Sequence, residues 1–260
     1  MSARPSGAYG VDAPGVPWTW GALAVVCGVL AIVFAPIGAG WSIGLSIYLG
    51  VLAVVSAIGT VLYLRATFLG KFEIWQKVID GLALNGSEQA LDLGCGHGSV
   101  AVMLAKQLPN GHVTGIDLWR SVDQSGNSEE ATRRNAVANG VDARITLDTG
   151  DMTALPYADE SFDLVTASLA IHNIRTKDGR RRAVLEALRV LRPDGRLVIV
   201  DIERVPEYLA VVREAGMDVE QARPLGWRMW WTGPWFPTRL LVASRPALVA
   251  SKPAGDASAT

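Results

Sequence analysis

The stretch Ala90-Leu-Asp-Leu-Gly-Cys-Gly-His-Gly98 decides the fold of this chain. Residues 90–93 have the composition of a short buried strand, and residues 99–107 have that of a helix. Glycine tolerates positive φ and lets a ligand approach the backbone, while a helix N-terminus offers N–H groups to that ligand. The glycines stand at alternate positions between strand and helix: Gly94, Gly96 and Gly98. We therefore expect a nucleotide-type site at this turn.

The glycine spacing and the acids that follow narrow the kind of nucleotide. The dinucleotide fingerprint G-x-G-x-x-G needs glycine at the position of Ser99, and Asp92 lies inside the strand. Both features disfavour a nicotinamide-dependent dehydrogenase. Asp117 closes the next strand-like run, where a carboxylate can accept hydrogen bonds from ribose hydroxyls. Asp151 follows the run after that.

Five motifs, in kind and in order, resemble a class I S-adenosylmethionine-dependent methyltransferase of type 11. They are Asp92-x-Gly-x-Gly-x-Gly98, Asp117, Gly150-Asp-Met152, Ser161-Phe-Asp-Leu-Val165 and Leu191-Arg-Pro-Asp-Gly-Arg-Leu-Val-Ile-Val200. The resemblance covers roughly residues 72–247. It implies an α/β fold with a doubly wound, seven-stranded, mostly parallel sheet (Rossmann-like) and S-adenosyl-L-methionine as the cofactor.

The resemblance also implies which residues bind that cofactor. In such a site Asp92 holds the amino end of the methionine part, Asp117 the ribose hydroxyls and Asp151 the adenine amino group. The alternative is that these acids bind no cofactor: Asp92 then caps a turn at the end of its strand, and Asp117 and Asp151 are solvated loop residues. The complete implied set is Asp92, Gly94, Cys95, Gly96, Gly98, Asp117, Leu118, Asp151, Met152 and Ser168.

His172 and Asn173 are the candidate catalytic residues because they follow the fourth predicted strand, where the family's cofactor and substrate meet. A neutral imidazole there can take a proton from an oxygen or nitrogen nucleophile, with Asn173 as an orienting partner. Alternatively, His172 holds its loop through backbone hydrogen bonds. No metal site is predicted, since the two cysteines and three histidines are scattered along the chain.

Strand and helix patterns alternate through the second half of the chain, which favours a parallel sheet covered on both faces, with ligands at the carboxyl ends of the strands. We predict the methyltransferase domain over residues 89–247. Its strands are predicted at 89–93, 112–117, 143–148, 162–168, 195–201, 217–222 and 238–244, and its helices at 99–107, 128–139, 179–191 and 206–215.

The first quarter of the chain has a different composition. Residues 13–64 contain no Asp, Glu, Lys, Arg or His. Helices are predicted at 18–35 and 43–64, and the second, at about 33 Å, is long enough to cross a hydrocarbon core. We favour a transmembrane hairpin over 18–64; the alternatives are buried helices of a soluble core, or a signal peptide for the first run.

Basic residues flank the hairpin and predict its orientation. Arg4 precedes it, and Arg65, Lys71 and Lys77 follow it, which indicates a two-span membrane protein whose catalytic domain is cytoplasmic. Residues 65–88 are predicted to be a linker with an amphipathic helix that lies on the membrane surface or packs on the domain. Residues 1–17 and 248–260 have the composition of a flexible and a disordered tail.

The function predicted from the sequence is a membrane-anchored methyltransferase acting on a lipophilic small molecule, such as a phospholipid amine or an isoprenoid quinone. The alternative is a membrane-tethered S-adenosylmethionine-binding module without catalysis. A net charge of −1 does not indicate a nucleic-acid partner. Two segments have no assigned role: the polar insertion 123–128 and the Trp-rich segment 227–236, which is predicted to cover the sheet edge, enter the lipid interface or line an apolar pocket.

Overall fold

A computed structural model describes residues 4–246 of the chain; the predicted tail at 248–260 lies outside them. Seven helices and seven strands form its regular structure. The helices are α1 (Gly15–Phe34), α2 (Gly40–Arg65), α3 (Lys71–Gly81), α4 (Ser99–Gln107), α5 (Glu129–Ala138), α6 (Lys177–Arg189) and α7 (Val205–Glu214). The strands are β1 (Gln89–Leu93), β2 (His112–Asp117), β3 (Ile145–Thr149), β4 (Phe162–Ser168), β5 (Leu191–Ile202), β6 (Asp218–Pro224) and β7 (Thr238–Ser244).

The strands form one sheet in the order β3-β2-β1-β4-β5-β7-β6. Only β7 runs antiparallel to its neighbours, so the predicted seven-stranded, mostly parallel sheet is confirmed. Two apolar clusters cover its faces, one with α3 and α4 and the other with α6 and α7. Because β1, β2 and β4 are parallel neighbours, their carboxyl ends meet at one edge.

Helices α1 and α2 form a hairpin that turns at Pro36 and Gly38, where glycine supplies φ +76°. A hydroxyl from α2, Ser46 Oγ, donates to the carbonyl of Ala31 across the pair at 2.6 Å. Most of the apolar side chains on the hairpin are exposed. By length and composition, residues 15–37 and 40–81 are each able to cross a membrane.

The predicted linker is a continuation of α2. A π-helical turn at Ala66–Gly70 joins α2 directly to α3. One face of α3 is buried against the domain, with Phe72 and Trp75 fully enclosed, so the helix packs on the domain rather than lying on a membrane surface. Trp75 Nε1 donates to Ser168 Oγ at 2.8 Å, which connects α3 to the end of β4.

The prediction of a flexible tail at residues 1–17 is wrong for the part that the structure describes. Residues 4–14, here called the N-terminal strap, pack on the domain, and α1 begins at Gly15. Tyr9 is only 2% exposed and meets Phe72 edge-on, with 5.2 Å between ring centroids. The Ala8 amide donates to Asn135 Oδ1 at 3.0 Å. Glycine and proline content indicates a lack of regular structure, and it carries no information about partners elsewhere in the chain.

Candidate active site

A cavity of about 580 Å³ opens at the carboxyl ends of β1, β2 and β4. Most of the residues predicted to bind a cofactor line it. They are Asp92, Gly94, Cys95, Gly96, Asp117, Leu118, Asp151, Met152 and Ser168, with Asn173 on the same wall. Gly98 does not line the cavity; a Cβ there would lie 2.6 Å from Thr132 Cγ2 of α5, so this glycine permits helix packing.

Two positions in the loop after β1 favour glycine, both for its backbone conformation and for the space around it. Gly94 has φ +65°, and a Cβ on it would lie 2.5 Å from the Cβ of Ala170. Gly96 has φ +52°, and its Cβ would lie 2.5 Å from Gln124 Oε1. A side chain at either position would therefore be strained and would collide with the opposite wall.

Asp117, at the end of β2, organises this loop and also faces the cavity. Its Oδ2 accepts a hydrogen bond from the Gly96 amide at 2.9 Å. Its Oδ1 accepts from the Trp119 amide at 2.6 Å and from Asn127 Nδ2 at 3.1 Å. A carboxylate offers about four acceptor sites, so capacity remains for one further donor in the cavity.

Asp92 is a buried carboxyl group at the base of the cavity. It is 1% exposed and accepts a hydrogen bond from Thr166 Oγ1 at 2.8 Å. Burial raises the pKa of Asp92 to about 7. A ligand cation beside this group would favour its ionised form, because an opposite charge compensates for the lost hydration.

His172 and Asp201 form a hydrogen-bonded pair beside the cavity. His172 Nδ1 lies 2.5 Å from Asp201 Oδ1, and the His172 amide donates to Asp201 Oδ2 at 3.0 Å. Asp201 is 0% exposed and also accepts from the Tyr208 hydroxyl at 3.2 Å. Burial lowers the pKa of His172, but the Asp201 charge and hydrogen bond outweigh it, so the pKa is raised overall.

A second cavity, of about 250 Å³, adjoins the first and is lined by His172. The two cavities share four wall residues: Asp12, Asp123, Leu169 and Asn173. The other walls are mainly apolar or aromatic and come from the strap, both hairpin helices, the end of β5 and the Trp-rich segment. These residues are Ala13, Val16, Trp20, Tyr63, Ile202, Trp231, Thr232 and Phe236, with Glu203 at one side.

The Trp-rich segment packs on the domain end of the hairpin. Trp231 meets Tyr63 edge-on at 5.1 Å, and Trp235 stacks on Trp20 at 6.5 Å between centroids. The guanidinium of Arg65 lies 4.2 Å from the ring centroid of Trp227. The segment thus lines the second cavity through Trp231, Thr232 and Phe236, and its packing ties that cavity to the hairpin.

Residues 91–199 match a family model described as a methyltransferase domain. This segment of the chain is therefore similar to a methyltransferase domain.

Curated relatives with methyltransferase names give the same indication. A ubiquinone/menaquinone biosynthesis C-methyltransferase, UbiE, of Dinoroseobacter shibae is 36% identical over 139 residues, which is 53% of this chain and 52% of the relative. The 27-O-demethylrifamycin SV methyltransferase of Amycolatopsis mediterranei is 32% identical over 167 residues, covering 54% of this chain and 58% of the relative. The chain thus spans just over half the length of these curated relatives.

The crystal structure of the [4+2]-cyclase SpnF superposes on the methyltransferase domain with a TM-score of 0.57. The two share 20% sequence identity, and the match covers 67% of this chain and 80% of SpnF. At that identity the likeness is one of fold alone.

The cofactor of the methyltransferase domain is S-adenosylmethionine, and the first cavity fits it. A glycine-lined loop leaves room that a Cβ at Gly94 would fill, and the buried Asp92 carboxyl suits a cationic ligand group. Acids outnumber bases on the wall, which favours a ligand with positive charge. The acids are Asp12, Asp92, Asp117, Asp123 and Asp151, and the bases are Lys71, Arg120 and Arg175.

Sequence reasoning missed the part of the site that the N-terminal strap supplies. Asp12 accepts from Lys71 Nζ at 2.8 Å and from Gln124 Nε2 at 3.0 Å. Gln124 Oε1 in turn accepts from the His97 amide of the glycine loop at 2.9 Å. The insertion 123–128 therefore joins the strap to the cofactor loop. An acid inside a Gly/Pro-rich segment gave no indication of this contact.

Asp201 was also missed as a site residue, although an acid at the last position of a predicted strand was visible in the sequence. Its position at the carboxyl end of β5 puts it beside the β4 loop, because β4 and β5 are parallel neighbours. The same rule that grouped Asp92, Asp117 and Asp151 would have grouped it with His172.

Proposed function

We propose that this chain is a membrane-anchored, S-adenosylmethionine-dependent methyltransferase that acts on a small lipophilic acceptor of the quinone type. The observation that carries the proposal is the junction of the two cavities. One is polar and glycine-lined, the other is mainly apolar and partly walled by the hairpin, and they meet at Leu169 and Asn173. A cofactor in the first and an acceptor in the second would lie side by side.

The residues around the first cavity bind and orient. We assign Asp117 to the ribose hydroxyls, Asp92 to the amino end of the methionine part and Asp151 to the adenine amino group, with Leu118 and Met152 beside the base. When bound, the cofactor supplies an activated methyl group. The protein then mainly has to hold the acceptor in line with it, and such alignment can account for about 7–11 kcal/mol of the barrier.

His172 is proposed as the general base. Its Nδ1–H donates to Asp201, which leaves Nε2 with the lone pair. Nε2 takes the proton of an acceptor hydroxyl, and Asp201 holds the ring and stabilises the resulting imidazolium. Asn173 lines both cavities and is proposed to orient the acceptor where they meet.

Membrane anchoring is proposed for the hairpin. Its support is the run of residues 13–64 without Asp, Glu, Lys, Arg or His and the exposure of the apolar residues on both helices. The basic residues Arg4, Arg65, Lys71 and Lys77 favour a cytoplasmic domain. Anchoring would serve an enzyme whose acceptor is dissolved in the bilayer.

The test is methyl transfer by the full-length chain in lipid nanodiscs. Radiolabelled S-adenosylmethionine and a membrane lipid extract are supplied, and labelled lipids are identified by mass spectrometry. We expect a product heavier than its precursor by one methylene, formed at least about 100-fold more slowly by His172→Gln. Cofactor binding measured by calorimetry without transfer to any extract would favour the non-catalytic module. Absence of cofactor binding would overturn the proposal.

A further inference from the structure

The second cavity lies at the end of the hairpin where apolar surface gives way to charge. Asp12 and Arg65 are the residues that border the uncharged run 13–64. Asp12 lines the cavity, and Arg65 contacts the Trp-rich segment that forms one of its walls. For a hairpin that spans a bilayer, this level is the lipid–water boundary.

We propose that this cavity binds the head ring of the acceptor, a hydroxylated aromatic ring with an apolar chain, and that the ring enters it sideways from the bilayer. The inference rests on the proposed function and adds the place where the acceptor ring binds and the route by which it enters. The ring lies among Trp20, Tyr63 and Trp231, and the chain stays on the lipid-facing surface of the hairpin.

The volume of the cavity sets the size of its occupant. Pockets for whole drug-sized ligands measure about 300–1,000 Å³, so 250 Å³ accommodates a substituted ring and not an entire lipid. The chain must therefore lie outside. Exposed apolar side chains are present on the same part of α2 and at the rim of the cavity: Ile58, Val61, Trp235 and Phe236.

The polarity of the walls sets the direction in which the ring lies. His172 and Asn173 stand at the side that adjoins the cofactor cavity, and aromatic side chains form the hairpin side. A hydroxyl on the ring would therefore face His172, and the chain would point away from it. Four aromatic rings on the walls favour a flat, π-bearing occupant over a saturated one: Trp20, Tyr63, Trp231 and Phe236.

The charges on the walls argue against a phospholipid amine, the other acceptor that the sequence left open. Among the residues that the structure describes, the lining contains three carboxyl groups, those of Asp12, Asp123 and Glu203, and no Lys or Arg. A phosphodiester there would meet the like charge of Asp123 and Glu203, and the ammonium of Lys71, which lines the first cavity, is already paired with Asp12. A neutral phenol or quinol carries no such penalty.

The transfer step balances with this occupant. The ring hydroxyl loses its proton to His172 Nε2, and the electron pair of the phenolate, on oxygen or on the adjacent ring carbon, forms the bond to the methyl carbon. The carbon–sulfur bond breaks, and its electron pair stays on sulfur, leaving a neutral thioether. After attack through carbon, water takes the ring proton and the His172 imidazolium returns its proton to the oxygen, which restores the aromatic phenol and the neutral imidazole.

The test fills the cavity from α1. Val16→Trp places a large ring inside it, and Val33→Trp makes the same change at an exposed position on the far half of the same helix. Both full-length variants are assayed in nanodiscs with a quinol that carries a short apolar chain and with the same ring lacking the chain. We expect Val16→Trp to raise the KM for the chain-bearing quinol at least about tenfold. Cofactor affinity should stay within about twofold, and Val33→Trp should behave as wild type.

A second pair of variants tests the same route in case Val16→Trp does not fold. Phe236→Ala removes an exposed aromatic group at the rim, and Trp41→Ala removes one at the opposite end of the hairpin. We expect the first to reduce the preference for the chain-bearing quinol and the second to leave it unchanged. Equal KM values for wild type and Val16→Trp, or transfer to a phospholipid amine with no transfer to quinols, would overturn the inference.

Photo-crosslinking separates this inference from the proposed function. An azido-substituted quinone with an apolar chain is irradiated with the wild-type protein in nanodiscs, and adducts are mapped by mass spectrometry. Adducts on peptides with Trp20, Tyr63 or Trp231, lost in Val16→Trp, support the pocket even if no methyl group is transferred. Transfer without such adducts supports the methyltransferase and overturns the pocket.

Discussion

Asp201 Oδ1 lies 2.5 Å from His172 Nδ1, and the other oxygen of the same carboxylate accepts the backbone amide of His172. One buried acid therefore fixes both the ring and the turn that carries it. With Nδ1–H donated to Asp201, the neutral imidazole has its lone pair on Nε2, and the second cavity lies next to this ring. The pair has the arrangement of a general base with an orienting partner.

Replacing His172 by Gln should remove proton transfer while leaving the cofactor cavity intact. We expect kcat to fall by about 10²–10⁴-fold, the usual contribution of a general base. The affinity for S-adenosylmethionine, measured by calorimetry, should be unchanged. His112→Gln is the matched control, since His112 lies at the start of β2 and contacts Thr146. A purely structural His172 would instead lower thermal stability and leave kcat close to wild type.

The pH dependence of catalysis should report the raised pKa of His172. The charges that face this ring are those of Asp201, Asp123 and Glu203. The base form exists above the pKa, so kcat/KM should rise with pH through a value above the ordinary 6.5 for histidine. In Asp201→Asn the main raising charge is gone and burial remains, so the rise should move to lower pH. An unchanged profile in this variant would exclude His172 as the titrating base.

Gly94→Ala should weaken cofactor binding more than its backbone strain alone predicts. The new Cβ meets Ala170 at 2.5 Å on the opposite wall. Gly126→Ala is the control, because its φ of +71° is similar and its Cβ meets no atom within 4 Å. Both variants should lose about 1–2 kcal/mol of stability to the left-handed conformation. Only Gly94→Ala should raise the cofactor Kd, by at least about tenfold. Equal Kd values in the two variants would contradict the proposal that the cofactor occupies the space beside Gly94.

The stability of the protein without cofactor should depend on pH through Asp92. The pKa of this group is about 7 in the folded chain, against 3.8 as its ordinary value. A raised pKa contributes stability that is fully present below the ordinary value and is lost as pH rises through about 7. Asp92→Asn, which stays neutral, should flatten the fall in Tm between acid and neutral pH. Asp142→Asn, at an exposed position, should leave that fall as in wild type.

The sheet and the cofactor cavity were predictable because they follow from local pattern and one topological rule. Alternating strands and helices predicted the parallel sheet, and its shared carboxyl edge grouped Asp92, Asp117 and Asp151. The bounds of β5 were less predictable: it begins at Leu191, through Pro193 and Gly195, where a helix end was expected. Proline has no backbone N–H to donate, so Pro193 suggested that the sheet would not include this segment, but β5 runs through it.

The strap and the acceptor side of the site could not be predicted because they depend on contacts between distant segments. The Tyr9 ring contacts Phe72. The Val11 amide donates to Ser125 Oγ at 2.8 Å, and the Ser125 amide donates to the Val11 carbonyl at 3.0 Å. These partners are far apart in the sequence, and hydrophobic periodicity carries no information about such contacts. Gly98 shows the converse limit. It stands in the motif with the other glycines, yet its space is used by Thr132 of α5 rather than by a ligand.

The unbroken helical path from α2 into α3 has a consequence for kinetics. Residues 40–81 form one unbroken helical path of about 63 Å, which passes through the π-helical turn at Ala66–Gly70 and is anchored at its far end by Phe72 and Trp75 inside the domain. A continuous helical connection, unlike a flexible linker, would hold the opening of the second cavity at a constant depth relative to the hairpin. For the proposed membrane-anchored enzyme, the encounter with a bilayer-dissolved acceptor becomes a two-dimensional search in the plane of the leaflet. Its rate should scale with the mole fraction of acceptor among the lipids, not with the amount per volume of solution.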